Sequence, residues 1–402
     1  MKAEKSRMWK QRSALIDAER KTDMNEYTAD DVLRLAKRVN NTKRNYLLVN
    51  PLQAKHMPVS PSASLKMMRT LGKMLAEKYP ETRLIVGFAE TATAIGAAVA
   101  ECFPQDCFYM HTTRENLAHV KDWIIFQEEH SHATEQKLAQ EGFLKGTKET
   151  DTILFIEDEI STGRTLRNMI RQLQGIMPGG SQKRMIAASI INRMSEENEK
   201  MLLDDGISCE CLVRLPSEDF KDELNQIAVD IAEKTQLVEE PVLQSHQIDL
   251  TDHYSDPRRA VRTGSYAEML KRIAENAIHQ ISKGFTKETN LLVLGTEECM
   301  YPALLFGEML EKTIGCNVRC HATTRSPIGI CGTPGYPIRN GRRMTSLYQN
   351  TRETFLYNLA SYDAAIVVSD AEENVEQGLT ELAETLHEYG TTKVFFLKLR
   401  GE

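Results

Sequence analysis

Apolar and polar positions follow two recurring patterns along the first half of the chain. Short continuous apolar runs are typical of strands buried in a parallel sheet. These runs lie at 83–87, 107–111, 152–156, 184–191 and 209–215. Between them, apolar residues recur three or four positions apart, as in Leu65, Met68, Leu71 and Leu75, which indicates an amphipathic helix. Strands and helices alternating in this way predict a parallel sheet covered by helices.

The pattern lapses near residue 220 and restarts after about 240. The segment between residues 220 and 240 contains one predicted helix and then polar, proline-containing sequence, so we place a domain boundary at 238. Beyond it, helices are predicted at about 264–281, between the strand 290–295 and about residue 313, and at 374–389. Strands are predicted at 290–295, 317–322, 363–370 and 393–399. The predicted fold class is α/β, with two Rossmann-like domains, mainly parallel, over 1–238 and 239–402.

Composition narrows the functional class. The chain has 402 residues, a length typical of two domains, and a net charge of -7, which argues against a nucleic-acid surface. No apolar stretch is long enough to span a bilayer, and the charged N-terminus does not resemble a signal peptide, so we expect a cytoplasmic protein without membrane contact. The eight cysteines form no CxxC pair, which favours reduced thiols over a metal cluster held by the protein.

The two halves also share short motifs in the same order. "VGFAETATAIGAAVA" (86–100) is similar to "LGTEECMYPALLFGEML" (294–310), and "HTTRE" (111–115) to "ATTRSP" (322–327). The first TTR lies 46 residues before Asp158, and the second lies 47 residues before Asp370. We interpret this as two related α/β domains, of which the second has diverged.

The segment "TILFIEDEISTGRT" (152–165) carries the most informative chemistry. An apolar run leads into Glu157 and Asp158, and a loop with hydroxyl and glycine residues then opens a helix. Ligands bind at the carboxyl ends of parallel strands, and such a loop offers amides and a helix dipole to a phosphate. The carboxylates would repel that phosphate but suit the 2- and 3-hydroxyls of a ribose, with Mg2+ nearby. The segment therefore predicts a ribose 5-phosphate site.

This segment resembles the phosphoribosyl-diphosphate (PRPP) signature of type I phosphoribosyltransferases. It departs from that signature at Glu159, where the general pattern prefers an apolar residue. Together with "VNPLQAKHMPVSP", "GFAETATAIG", "EEHSHATEQ" and "TTRSPI", it resembles a narrower group. These are the orotate-phosphoribosyltransferase-like proteins with a C-terminal TRSP domain, found in tellurium-resistance-type gene clusters. The resemblance covers nearly the whole chain and implies a type I phosphoribosyltransferase fold for 1–238, with an N-terminal hood region, and a TRSP domain for 239–402.

The resemblance implies a role for each matching residue. Glu157 and Asp158 would bind the ribose and its Mg2+. The loop formed by Ser161, Thr162, Gly163, Arg164 and Thr165 would bind the 5-phosphate. Ala89, Glu90 and Thr91, with Arg114, would bind the pyrophosphate, on a loop that often has a strained or cis peptide in that fold. The segment 115–149 matches the catalytic loop and carries Lys121, His130 and His132. Lys55 and His56 lie where related enzymes build the hood over the base.

The implied reaction is displacement of pyrophosphate from C1 of PRPP by a nitrogenous base or base-like acceptor, or its reverse. Mg2+ would neutralise the leaving group, and closure of the catalytic loop would exclude water. We expect a homodimer that acts in a nucleotide-like biosynthetic pathway. A regulator that binds PRPP or a nucleotide without turnover, or a scaffold, remains the alternative. The sequence does not identify the base.

The second domain keeps only part of the site. Thr296 and Glu297 occupy the place of the pyrophosphate loop, Arg325 that of Arg114, and Asp370 that of Asp158, but no phosphate loop follows Asp370. Three arginines, 339, 342 and 343, lie in a glycine- and proline-containing segment. Because ligands bind at strand ends, we predict a second site, for an anionic product or second substrate, at Thr324, Arg325 and Ser326.

Overall fold

Two parallel sheets form the framework of the chain in the computed structural model. The model describes residues 26–39, 44–126, 136–178, 182–218, 220, 224, 227–237, 244–248, 250 and 252–401. The two sheets confirm the predicted α/β class with mainly parallel strands.

The first sheet has the strand order β12-β4-β3-β7-β8-β9, and only β12 is antiparallel to its neighbour. Its strands are β3 Leu84–Gly87, β4 Phe108–His111, β7 Thr152–Ile160, β8 Arg184–Asn192, β9 Ile207–Arg214 and β12 Val261–Arg262. The predicted strands are confirmed, although β7 runs four residues beyond the apolar run and includes the acidic residues. It continues because Glu157, Glu159 and Ile160 stay in register with β8.

Helices cover this sheet. They are the short α1 Ala29–Val32, then α2 Pro61–Lys78, α3 Ala92–Ala100, α4 Gln140–Thr147, α5 Arg164–Ile176 and α6 Glu196–Asp204. Helix α2 begins where expected from its sequence, because Pro61 occupies the first turn and the Ser60 hydroxyl accepts a hydrogen bond from the Ala63 amide at 3.4 Å. Its predicted apolar stripe is completely buried.

The second sheet is parallel throughout, in the order β11-β18-β17-β13-β14. Its strands are β11 Gln244–Ile248, β13 Asn290–Gly295, β14 Asn317–Ala322, β17 Ala364–Ser369 and β18 Lys393–Lys398. The helices are α7 Thr263–Ile281, α8 Tyr301–Ile314 and α9 Glu376–Glu388. Short 3-10 helices lie at Pro257–Arg259 and Ser282–Gly284.

Three antiparallel hairpins complete the fold. They pair β1 Arg34–Lys37 with β2 Tyr46–Val49, β5 Trp123–Phe126 with β6 Gln136–Ala139, and β15 Gly341–Thr345 with β16 Glu353–Tyr357. Strand β10 Glu233–Lys234 lies parallel to β15. Segments from both sides of position 238 thus cross between the domains, since β12 joins the first sheet and β10 joins the second domain's hairpin. The boundary at 238 stays a prediction.

The two domains repeat the same local geometry. The order β4-β3-β7-β8-β9 corresponds to β14-β13-β17-β18-β11, except that β11 comes before the other strands of its sheet in the chain whereas β9 comes after them. The Ala89 amide donates to the Thr112 hydroxyl at 2.8 Å, and the Glu297 amide donates to the Thr323 hydroxyl at 2.9 Å. The next threonines, Thr113 and Thr324, bridge to β6 at Lys137 and to β16 at Phe355. The duplication inferred from the motifs therefore extends to individual hydrogen bonds.

The domains pack against each other through apolar and charged side chains. One continuous cluster of buried apolar side chains includes Leu65 and Met68 of α2, Ile95 of α3, and Tyr301 and Phe306 of α8. A layer of helices between two sheets can bury side chains on both of its faces, so the interface shares the core of the two domains.

Candidate functional site

The candidate site lies where the carboxyl ends of three adjacent strands meet. Strand β3 leads into the loop 88–91, β4 into the TTR turn at 112–114, and β7 into the loop 161–165. Parallel register holds Gly87 of β3 level with His111 of β4 and with Ile156 of β7. The residues predicted to bind pyrophosphate, ribose and 5-phosphate therefore belong to one edge of one sheet.

Asp158 and Glu157 lie on the last part of β7 and are half-buried. Burial, with the nearby charge of Glu159, raises the pKa of Asp158 to about 6. A carboxyl group with a raised pKa at a strand end is a common feature of functional sites, because function requires the charge that the fold disfavours.

Glu159, the departure from the general signature, has a structural role. Its carboxylate accepts hydrogen bonds from the Arg44 guanidinium at 2.7 Å and from Nε of Arg193 at 2.6 Å. Arg193 also donates to the Tyr46 hydroxyl at 2.7 Å. Glu159 thus ties the end of β7 to β8 and to the β1–β2 hairpin, contacts that the sequence pattern did not indicate.

The loop 161–165 has the features of an anion site. Helix α5 begins after Gly163, which has a φ of 68°, and no side chain caps the helix. The Arg164 amide donates to the Thr162 hydroxyl at 3.4 Å, while the following amides of the first turn are available to an anion, and the helix dipole favours negative charge there. Thr162, Arg164 and Thr165 are exposed, and Ser161 is half-buried.

Replacing Gly163 with alanine is expected to damage this loop. A Cβ there would lie 2.6 Å from Sδ of Met194, in a backbone conformation that costs an L-residue roughly 1–2 kcal/mol. We expect Gly163→Ala to lower the melting temperature and to weaken ribose 5-phosphate binding, measured by calorimetric titration. Gly175→Ala, in the same helix with open space around its Cβ, is the control and should change neither binding nor stability unfavourably. Equal binding by both variants would contradict the assignment of the loop.

The predicted pyrophosphate loop turns sharply after β3. The peptide bond between Ala89 and Glu90 is cis, as the resemblance implied. In the part of the chain that the structure describes, the amides of Glu90 and Thr91 donate no hydrogen bond, whereas the Ala89 amide is held by Thr112. Arg114, at the end of the TTR turn, is half-buried, and its amide donates to Glu298 of the second domain at 3.1 Å.

The expected hood role of Lys55 and His56 is corrected by the structure. The Lys55 ammonium is buried, forms an ion pair with Glu90, and donates to the carbonyls of Glu297 at 2.8 Å and Thr323 at 2.9 Å. His56 is also buried, and burial together with the charge of Lys55 lowers its pKa to about 3. Both side chains are enclosed between the domains, so neither can cover a base.

Of the three residues predicted for the catalytic loop, the structure describes only Lys121. His130 and His132 lie outside the described residues. Lys121 is exposed and lines a cleft of about 1170 Å³ between the domains. The same cleft is bordered by Tyr348 and Asp370 of the second domain and by the segment 254–261. Lys121 therefore faces the second domain's strand ends, and its role in transfer stays a prediction.

The second anion site is not supported by the geometry. Thr324 is buried, Ser326 is half-buried, and the Arg325 guanidinium is enclosed by carboxylates. Those carboxylates belong to Glu90, Glu115, Glu297 and Glu298. An arginine already surrounded by acids has no charge left for a ligand anion, so this prediction is corrected: the turn is part of the domain interface.

Other predicted second-site residues have protein partners as well. Asp370 pairs with Arg258 at 3.1 Å and accepts from the Tyr348 hydroxyl at 2.6 Å. The Thr296 hydroxyl lies 2.8 Å from the same Tyr348 hydroxyl. Of the basic stretch, Arg342 pairs with Glu388 and Arg343 pairs with Glu353, while Arg339 is exposed.

Several charged residues of this region were not predicted from the sequence. Glu298 accepts from the Thr113 hydroxyl at 2.6 Å. Arg352, in the loop of the β15–β16 hairpin, contacts Glu297 at 2.7 Å and Glu115 at 2.9 Å. No local motif marks these residues, because Glu298 lies 185 positions from Thr113 and Arg352 lies 55 and 237 positions from Glu297 and Glu115. Only the internal repeat, which aligns GTEE (295–298) with GFAE (87–90), could have suggested that the two turns are neighbours.

The cysteines, the possible metal ligands and the helix lengths show no further special feature among the described residues. Each cysteine is a free thiol, and no group of three or more His, Cys, Asp or Glu side chains within the described ranges is arranged to hold a metal. Among the helices that the structure describes, none has both the length and the apolar character needed to cross a membrane.

Comparison with known proteins gives matches in both domains. Residues 32–215 match the family described as phosphoribosyl transferase, and residues 260–386 match the TRSP domain, which is described as C-terminal to that transferase. No curated protein matches the chain.

Solved structures similar to the chain include three transferases. The adenine phosphoribosyl transferase from Trypanosoma brucei is 13% identical, with a TM-score of 0.32 over 49% of this chain and 84% of that one. The Rhodothermus marinus adenine enzyme is 13% identical, with 0.33 over 46% and 96%. The orotate phosphoribosyltransferase from Francisella tularensis is 13% identical, with 0.27 over 46% and 77%.

Proposed function

We propose that this chain, which belongs to the phosphoribosyl transferase family with a C-terminal TRSP domain, transfers the 5-phosphoribosyl group of PRPP to a nitrogenous base or base-like acceptor. The observation that carries this proposal is the arrangement at the end of β7. Two carboxylates, Glu157 and Asp158, precede a hydroxyl-bearing loop and an uncapped helix, at the same sheet edge as the loop 88–91.

The sugar phosphate would bind along β7. The carboxylates of Glu157 and Asp158 would accept hydrogen bonds from the 2- and 3-hydroxyls of the ribose. The amides at the start of α5 and the hydroxyls of Ser161, Thr162 and Thr165 would hold the 5-phosphate, a group that helix N-termini favour. Carboxylates would thus bind the ribose hydroxyls, and amides and hydroxyls a few residues further along the chain would bind the 5-phosphate.

The diphosphate would bind at the ends of β3 and β4. The amides of Glu90 and Thr91 have no other acceptor among the described residues, and Arg114 follows the adjacent strand. Mg2+ carried by the diphosphate would neutralise the leaving group. In the reaction, the acceptor nitrogen forms a bond to C1 of the ribose. The C1–O bond breaks, and pyrophosphate leaves with the electron pair.

Catalysis would rest on positioning and electrostatics, since this displacement needs no covalent nucleophile. We assign the segment 115–149, with Lys121, His130 and His132, to the loop that covers the bound PRPP. Its two strands, β5 and β6, form a hairpin, and Lys137 of β6 bridges to Thr113 of the TTR turn. The hairpin is therefore joined to the turn that carries Arg114 of the proposed diphosphate subsite.

The proposal is tested by titrating the protein with PRPP in the presence of Mg2+ and by measuring pyrophosphate release with a panel of purine, pyrimidine and related heterocyclic bases. We expect saturable PRPP binding and base-dependent release of pyrophosphate. Binding without release for every base would favour a PRPP-binding regulator, and absence of binding would overturn the proposal. Ribose 5-phosphate serves as the matched ligand that lacks the diphosphate.

A further inference from the structure

The loop 88–91 and the TTRSP turn of the second domain touch each other directly. The Arg325 guanidinium forms an ion pair with the Glu90 carboxylate, and the Arg325 amide lies 3.4 Å from Oε1 of Glu90. The reciprocal contact joins Glu298 to the first domain's turn, through the Arg114 amide at 3.1 Å and the Thr113 hydroxyl at 2.6 Å. Each domain thus places a carboxylate from its first strand-end loop on the other domain's TTR turn.

Arg325 is the centre of a buried charge cluster. Its guanidinium lies 2.9 Å from Glu298, 3.3 Å from Glu115 and 3.5 Å from Glu297, in addition to its contact with Glu90. Burial alone would lower its pKa, but the acids, Glu90 first among them, hold it well above its usual value. The arginine is therefore permanently charged and fixed from several directions.

The effect on Glu90 is electrostatic as well as geometric. Burial acts to raise the pKa of Glu90, but Lys55 and Arg325 outweigh it and keep that pKa well below its usual range. The carboxylate is thus ionised at neutral pH, immediately beside the amides proposed to receive a diphosphate. Without a cation on it, this charge would repel the diphosphate, and the loop would lose the contact that fixes its position.

We infer that the second domain acts as a built-in partner for the transferase site, with Arg325 as the positioning residue that holds the pyrophosphate loop and, together with Lys55, neutralises Glu90. The inference rests on the proposed function and assigns the TTRSP turn a role in diphosphate binding without contact with the ligand. It also explains why the turn is retained in a domain that lacks a phosphate loop after Asp370. The ribose and 5-phosphate subsites on β7 lie outside this contact.

The test compares two ligands that differ only in the diphosphate. Mg2+ titrations of PRPP and of ribose 5-phosphate are made with wild type, Arg325→Gln and Arg343→Gln. Arg343 pairs with Glu353 on the second domain's hairpin and is the control for loss of one arginine. For Arg325→Gln we expect PRPP affinity to fall about tenfold to hundredfold, the size of one lost charge-assisted contact, while ribose 5-phosphate affinity changes less than about threefold.

Arg325→Lys protects the test against a folding defect, since lysine keeps the charge in the cluster but not the forked contacts. We expect it to recover part of the PRPP affinity with ribose 5-phosphate binding unchanged. Equal loss for both ligands, or unchanged PRPP affinity in both variants, would overturn the inference while leaving the proposed function in place. A wild-type protein that binds ribose 5-phosphate no less tightly than PRPP would overturn both.

Discussion

Asp158→Asn is expected to weaken PRPP binding about tenfold to hundredfold while making the free protein more stable at pH 8. Binding falls because a ribose hydroxyl loses a charged acceptor, a contact worth about 1.5–3 kcal/mol, or roughly tenfold to hundredfold in affinity. Stability rises because the fold disfavours the charge of this residue: burial raises its pKa from 3.8 to about 6. A residue that destabilises the fold in its working state is expected at a functional site.

The raised pKa of Asp158 also predicts how the stability difference between the variant and wild type changes with pH. A carboxyl whose pKa is raised in the folded state contributes stability below its unfolded pKa of 3.8, and that contribution is lost as the pH rises through about 6. Asparagine does not titrate, so the melting temperature of Asp158→Asn relative to wild type should increase between pH 4 and pH 8, by the equivalent of about 1–3 kcal/mol.

The melting measurements are made without Mg2+, and binding is measured separately at pH 8. Asp151→Asn is the control, since Asp151 precedes the same strand and is 97% exposed. It should leave both the pH profile and PRPP affinity unchanged. An Asp158→Asn protein that binds PRPP as wild type does would remove Asp158 from the ribose site, and a flat difference in melting temperature would contradict its raised pKa.

Lys55→Met is expected to lower the free energy of unfolding by about 3–5 kcal/mol, the usual cost of removing one partner from a buried ion pair. The ammonium is only 1% exposed, and it holds Glu90 together with two carbonyls of the second domain. Methionine fills similar space but offers none of these contacts, so one carboxylate would keep only its arginine and two buried carbonyls would lose a donor.

The measurement is denaturant unfolding at neutral pH, and Lys66→Met provides the control. Lys66 pairs with Glu26 while 65% exposed, and exposed pairs contribute little to stability. Lys55 also joins the domains, so its loss should separate their unfolding into two transitions where wild type shows one. A loss of stability no larger than that of the Lys66 variant would show that the buried cation is not required for the interface.

Local sequence patterns predicted the strands and helices and the chemistry proposed for the first site. Apolar runs marked the strands, helical periods marked the helices, and the order of acids, hydroxyls and glycine in 157–165 indicated a sugar phosphate. These features are local: a strand's burial, a helix start and a phosphate loop depend on residues within about ten positions of one another. The repeat of TTR and its distance to Asp158 and Asp370 likewise predicted two related domains.

Only the tertiary structure decided what Lys55, Arg325 and Asp370 contact. In the sequence, the resemblance placed Lys55 in the hood over the base, and the strand-end position of Arg325 suited an anion. In the folded chain, distant segments contact both side chains: the carbonyls of Glu297 and Thr323 lie 242 and 268 positions from Lys55, and the Glu90 carboxylate lies 235 positions from Arg325. A charged side chain that a local motif suggests is available to a ligand is thus paired with a segment distant in the chain. Local sequence patterns do not predict such pairing, because it depends on how distant segments pack.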